Sequence, residues 1–196
     1  VLGGNNSNSR SAGSAAPGTE IKIVDEDNNP VAPGEVGEIA ARGMGVMQGY
    51  WKLEEQTAAT LKDGWVHTGD GGYMDDEGFV FIADRIKDMI VTGGENVFSA
   101  EVESAISTHE SVAEVAVIGI PDDKWGEAVH AIIVPKEGFA PTIEEIVEHC
   151  RPLIANYKLP RSVALRDETL PVSGAGKVLK RDLRIPYWEG KERQVN

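Results

Sequence analysis

The sequence predicts an α+β protein in two parts, a β-rich stretch over residues 17–86 and a compact α+β domain over 87–196. Two observations carry this expectation. Up to Arg85, apolar and polar residues alternate in short runs broken by Gly, Pro and Asn, the period of half-buried strands. Beyond Arg85 the pattern changes to strand, helix, two strands, helix and a final strand, which together make one α+β layer structure.

Taken in order, residues 1–16 begin "VLGGNNSNSR" and continue with Ser, Ala and Gly. They have little to bury and are expected to be mobile, with order starting near Pro17. "EIKIVDED" and "VGEIAARG" alternate like two strands of a hairpin, and "NNPVAPGE" punctuates them. "LEEQTAATL" fits one short helix at 53–61, and "GWVHTGDGGYMDDEGFVFIADR" fits three short strands separated by turns. In the second part, "DMIVTGGENVF" reads as a strand running into a glycine turn. Ser99 is the expected N-cap of the next helix, with Glu101 and Glu103 in its first turn favouring the positive end and Val102, Ala105 and Ile106 facing inward. "VAEVAVIGI" and "AVHAIIVP" are apolar strands joined by a loop, "PDDKWGE". Thr142 and Glu145 form a capping-box pair behind Pro141. The helix they open carries Ile143, Ile146, Val147 and Cys150 on one face, and Pro152 should kink or restart it. "RSVALRD" is the last strand, and "SGAGKVLKRDL" places Lys177 in a glycine-loosened loop before a basic helical turn.

Composition narrows the function classes. Nineteen Lys and Arg against 32 Asp and Glu leave a net charge of -13, which repels nucleic-acid backbones. Cys150 is the single cysteine, so no internal disulfide or thiolate metal cluster is available, and a reducing cytoplasm fits best. No apolar run approaches the ~20 residues that cross a bilayer, which leaves peripheral membrane contact open. The chain begins with Val rather than Met and lacks the order of a signal peptide, as expected of a segment of a longer protein.

Four familiar motifs almost occur and each fails on a residue its chemistry needs. A phosphate-binding loop would require Gly where Pro171 stands and Ser or Thr where Val178 stands. In "GMGVMQG" the third glycine comes one position late for a dinucleotide fingerprint. Ala113 occupies the second ligand position of a zinc motif begun by His109 and Glu110, and "DGGYMDDEG" misplaces Gly78 for a calcium loop. No metal site is expected from these residues.

A different constellation is specific. "WVHTGD" at 65–70, "DRIKDMIVTGGENVFSAEVE" from Asp84 and "LPVSGAGKVLKRDLR" at 170–184 occur in this order and resemble the adenylate-forming superfamily. The likeness covers about residues 17–187, and "GGENVFSAEVE" and "IPDDKWGEAV" are most similar to fatty-acyl or aryl-CoA synthetases. The resemblance implies a small mobile C-terminal domain at 87–196, preceded by the β-barrel-like tail of a large N-terminal domain. It implies two half-reactions, in which a carboxylate displaces pyrophosphate from ATP to give acyl-AMP and CoA thiolate then displaces AMP. ATP and Mg2+ would be held mainly by the N-terminal part, so these residues alone are expected to be inactive. CoA and a small-molecule carboxylate, expected to be a fatty acid, complete the reactants.

By the same resemblance, Asp70 accepts hydrogen bonds from both ribose hydroxyls, which suits an acceptor-only carboxylate, and Arg85 holds the ribose side of the nucleotide. Lys87 matches the hinge. Gly93 and Gly94 line the path of the pantetheine arm, where a missing side chain lets backbone approach closely. Asn96 matches a polar position near the phosphate. Lys177 reaches the reacting centre and bridges carboxylate and α-phosphate as charge develops, a task for a compact charge on a flexible stem. Read without the resemblance, Asp70 is a turn-capping residue, and Lys87 and Lys177 are solvated loop lysines. A ligase that loads a carrier protein, an AMP- or CoA-binding module without turnover, and a purely structural segment remain alternatives.

Overall fold

The computed structural model describes residues 11–174 and 176–190. The chain divides into two compact units, Val1–Ile86 and Lys87–Asn196.

The first unit is a curled five-stranded antiparallel sheet. β1 (Thr19–Val24) pairs with β2 (Gly37–Gly43), and β2 pairs with β4 (Trp65–Met74). The far edge of β4 is shared by the two-residue β3 (Leu61–Lys62) and by β5 (Val80–Arg85). The short helix α1 (Glu54–Thr60) precedes β3. Ile23, Ile39 and Val80 form the core, with Ile21, Val31 and Met74 against them. Most of the expected mobile segment lies outside the described residues. Its later part does not hang loose: Ala12 N–H donates to Val80 O at 2.7 Å and Val80 N–H to Gly13 O at 2.9 Å, so pairing begins ahead of Pro17.

The three short strands expected over 64–85 are two. "WVHTGDGGYM" runs as one ten-residue strand because its glycines serve packing rather than a break. A Cβ on Gly72 would lie 2.4 Å from Phe81 O and 2.9 Å from Ile39 Cδ1, so glycine alone lets β5 and the core close over β4. A register shift at Gly71 and Gly72 bends the strand there.

The second unit is built on β9 (Gly126–Pro135), which pairs along its length with β8 (Val112–Asp122). The other edge of β9 takes β10 (Ser162–Leu165) in parallel and β6 (Ile90–Thr92), which in turn pairs with β7 (Glu95–Val97). Successive residues of β8 and β9 point to opposite faces. Val117, Val129, Ala131 and Ile133 pack with Val102, Ala105 and Ile106 of α2 (Ser99–Ser107) and with Ile146 and Cys150 of α3 (Ile143–Cys150). Ala116, Ile118 and Ile132 meet Leu170 and, from α4 (Lys180–Trp188), Leu183. A sheet covered on both faces explains the nearly unbroken apolar runs.

The capping box expected for α3 is present. Thr142 Oγ1 accepts from Glu145 N–H and Glu145 Oε2 from Thr142 N–H, closing the capping box of α3. Pro152 follows the end of that helix instead of kinking it. Other local expectations shift. The N-cap of α2 is Phe98, and Ser99 is the first helical residue, its hydroxyl 2.6 Å from the Lys180 ammonium. Glu103 lies beyond the first turn and accepts from Val117 N–H at 2.7 Å. The strands flanking "PDDKWGE" extend into it, so Asp123, Lys124 and Trp125 form the turn.

Candidate functional site

The segment "HTGD" of β4 is fastened to β2 residue by residue. Glu38 spans two of its positions, with Oε2 at 2.7 Å from His67 Nδ1 and Oε1 accepting from Gly69 N–H at 2.9 Å. Thr68 Oγ1 donates to Ile39 O at 2.8 Å and accepts from Asp70 N–H at 3.1 Å. These bonds fix the backbone that carries Asp70. Across the β4–β5 ladder its register partner is Arg85, so a carboxylate and a guanidinium stand on neighbouring strands at the end of the sheet. An acceptor-only group beside a rigid set of donors suits a ligand with hydroxyls and negative charge.

In the second unit, Gly93 and Gly94 are the two central residues of the β6–β7 hairpin, Thr92 being opposite Glu95. Their φ values of +62° and +85° define the turn whose twist matches its strands and which favours Gly-Gly. Gly93 is glycine for a second reason. A Cβ there would come 2.6 Å from the Trp125 ring, and its N–H donates to Trp125 O at 2.8 Å. Asn96 follows on β7, exposed and opposite Val91.

Trp125 is held at its turn by Asp122. Oδ1 accepts from the N–H groups of Lys124 and Trp125, both at 2.9 Å, and these bonds keep the carboxyl below its usual range. The ring has the Lys124 ammonium 4.6 Å and the Arg161 guanidinium 4.8 Å from its centre. Sequence reasoning missed this aromatic and cationic patch beside the glycine turn. The available signal was a tryptophan in an otherwise polar loop; Arg161 arrives from a distant segment.

Lys177 lies in a small closed loop. Val172 and Val178 form a bridge, Ser173 N–H donates to Lys177 O and Gly176 N–H to Ser173 O, both at 2.8 Å, and Gly176 takes φ of +76°. The Lys177 side chain is exposed, and its ammonium has no partner among the described residues. Three positions later Lys180 anchors the stem, 2.6 Å from Ser99 Oγ and 2.8 Å from Glu103 Oε1. One turn further along α4, Arg184 Nη1 lies 3.0 Å from Asp88 Oδ1 and donates to Lys87 O at 3.2 Å. Lys87 itself is exposed within a single 3-10 turn, Ile86–Asp88.

The candidate residues therefore fall into four settings. Asp70 and Arg85 stand opposite each other in the first unit. In the second, Gly93, Gly94 and Asn96 share one hairpin, Lys177 tips the loop before α4, and Lys87 is tied to α4 by Arg184. Among the described residues no group of three or more His, Cys, Asp or Glu is arranged to hold a metal ion, and no helix is long and apolar enough to cross a membrane.

The fold is that of the C-terminal region of adenylate-forming enzymes. The o-succinylbenzoate CoA synthetase of Bacillus subtilis, in complex with its acyl-adenylate intermediate, matches 89% of this chain with 35% of its own. Its TM-score is 0.82 and its sequence is 39% identical. Family models described as "AMP-binding enzyme" and "AMP-binding enzyme C-terminal domain" match residues 2–51 and 101–177. The chain belongs to the AMP-binding enzyme family, whose members are ATP-dependent and adenylate-forming. A fatty acid–[acyl-carrier-protein] ligase, ScoC of Streptomyces coeruleorubidus, is 43% identical over 187 residues, covering 95% of this chain and 36% of its own length. A long-chain-fatty-acid–CoA ligase of Salmonella typhimurium is 46% identical over 176 residues, covering 90% and 31%. The chain thus spans about a third of the length of the curated relatives it matches.

Proposed function

We propose that this chain is the C-terminal part of an ATP-dependent acyl-CoA synthetase acting on a fatty carboxylate in the cytoplasm, and that it carries the moving half of the site. In the first half-reaction the carboxylate oxygen attacks the α-phosphorus of ATP and pyrophosphate leaves. Negative charge concentrates between the two reactants, where the Lys177 ammonium stabilises it. In the second half-reaction the CoA thiolate attacks the acyl carbonyl and AMP leaves, while the Gly93–Gly94 turn lets the thiol arm pass close to backbone. Asp70 accepts from the ribose hydroxyls, Arg85 steadies the same side of the nucleotide, and Asn96 lies toward the phosphate. Mg2+ would be held with ATP by the N-terminal part, where it would supply positive charge to the departing pyrophosphate.

The observation that carries this reading is the state of Lys177. Its loop is closed by backbone bonds, its stem is anchored through Lys180, and its ammonium is left without a partner among the described residues. A solubilising lysine needs no such scaffold. Lys177 and the glycine turn belong to the same compact unit but to different elements, so rotation of that unit about Lys87 would offer them to one substrate in turn. The division of the chain between Ile86 and Lys87 supports a pivot there. Beside the turn, the cations around Trp125 suit the phosphates of CoA.

The test is the full-length enzyme with Lys177→Ala, assayed as separate half-reactions. Acyl-AMP formation, followed by ATP–pyrophosphate exchange, should slow about 100- to 1,000-fold while thioester formation from supplied acyl-AMP is largely kept. Equal damage to both steps rejects the role. The 43% identity to ScoC favours a second reading in which the acceptor is a phosphopantetheinylated carrier protein. Offering CoA and carrier protein to the same acyl-AMP complex separates the two.

A further inference from the structure

The Gly93–Gly94 hairpin hangs from the sheet by a short seam. β6 is three residues long, and among the described residues its register with β9 is the single pair Thr92–Gly126, extended by the Gly93 N–H bond to Trp125 O. Directly beyond that pair stands Glu127, 2% exposed. Its Oε2 accepts from Val91 N–H at 3.0 Å, so a side chain of β9 holds the strand that leads into the turn. The neighbouring strand is cut to fit. A Cβ on Gly119 of β8 would lie 2.6 Å from Glu127 Oε2 and 2.9 Å from its Cδ, and Gly119 does not have the positive φ that would otherwise call for glycine.

Burying a carboxylate is costly, and an apolar residue of similar size would stabilise a sheet core better. A carboxylate here supplies something a leucine cannot, an acceptor that reaches across to a backbone N–H of β6. We propose that Glu127, seated in the space left by Gly119, is a positioning residue for the thioester step: it sets the height of the Gly93–Gly94 turn over the path of the acceptor thiol. The proposal rests on the reading of that turn given above. It assigns Glu127 no contact with substrate, and it assigns the residue no part in acyl-AMP formation.

Three variants of the full-length enzyme test it. Glu127→Leu removes the acceptor, Gly119→Ala displaces the carboxylate from the opposite side, and Glu127→Gln keeps an acceptor oxygen in the same volume. With acyl-AMP supplied, the first two should raise the KM for CoA about tenfold or more. ATP–pyrophosphate exchange should stay at the wild-type rate, which also shows that the unit bearing Lys177 is folded. Glu127→Gln should restore most of the CoA step. Amide exchange at Val91 should accelerate in Glu127→Leu and Gly119→Ala and remain slow in Glu127→Gln. Equal loss in both half-reactions, an unchanged KM for CoA, or failure of Gln to rescue would each overturn the role. A wild-type enzyme without pyrophosphate exchange on any fatty carboxylate would instead overturn the ligase reading, and this role with it.

Discussion

Lowering the pH should loosen the second unit through one side chain, His130. The ring is 4% exposed on β9, with Nδ1 2.7 Å from Ser162 Oγ and Nε2 2.9 Å from Tyr187 Oη, so it joins β9 to β10 and to α4. Burial pushes its pKa down from 6.5 to about 4. Tyr187, its neighbour, is raised by the same burial and does not titrate in acid. In the unfolded chain the imidazole takes up a proton near pH 6.5, whereas in the folded chain it stays neutral until about pH 4. Between these values the unfolded state binds more protons, and stability falls as pH falls. At 1.36 kcal/mol per unit of difference, the loss by about pH 4.5 comes to roughly 2 to 3 kcal/mol. The measurement is urea unfolding followed by the emission of Trp125 and Trp188, with Trp51 and Trp65 replaced by Phe so that the second unit alone is seen. Wild type and His130→Gln are compared near neutral pH and near pH 4.5. Wild type should lose more stability than the variant by that amount. Equal losses in the two proteins would refute the reasoning, because the carboxylates common to both would then account for all of it.

Three further expectations follow from described contacts. Arg184→Gln strips Asp88 of a guanidinium 3.0 Å away at a site where both side chains are about one-eighth exposed, and should cost about 3 to 5 kcal/mol in the second unit. Combining it with Asp88→Asn should recover part of the loss in a double-mutant cycle, and trypsin should cut faster at Lys87 in the single variant. Gly72→Ala forces a methyl against Phe81 O and Ile39 Cδ1 and should destabilise the first unit by about 1 to 3 kcal/mol, read from thermal unfolding. In the full-length enzyme Arg161→Ala should raise the KM for CoA about tenfold without slowing pyrophosphate exchange, and the effect should shrink as salt is raised.

What the sequence makes legible is local or repetitive. The alternation of β1 and β2, the apolar runs of β8 and β9 and the capping pair Thr142–Glu145 each advertise themselves within a few residues. β7 does not, because "ENV" has no period of its own and becomes a strand when the Gly93–Gly94 turn folds it back on β6. Ser99 has the chemistry of an N-cap, yet its hydroxyl is claimed by Lys180 from 81 positions away. Glu38, Glu127 and Arg184 read as ordinary charges in sequence. Their partners, His67 and Gly69, Val91, and Asp88, are brought to them by tertiary folding. The candidate site is legible only through motif likeness, since a lone Asp70 or Lys177 carries no local signal of nucleotide chemistry. The Trp125 patch is not legible locally, because Arg161 reaches the ring from a distant segment.

The grip of Arg184 on Lys87 and Asp88 makes the second unit a belt buckled on itself, its opening residues clasped by its final helix. Damage to α4 therefore travels to the opposite end of the unit. A chain cut after Leu179 would keep Lys177 and its loop, yet it would lack the clasp on Lys87, the residue about which the proposed rotation turns.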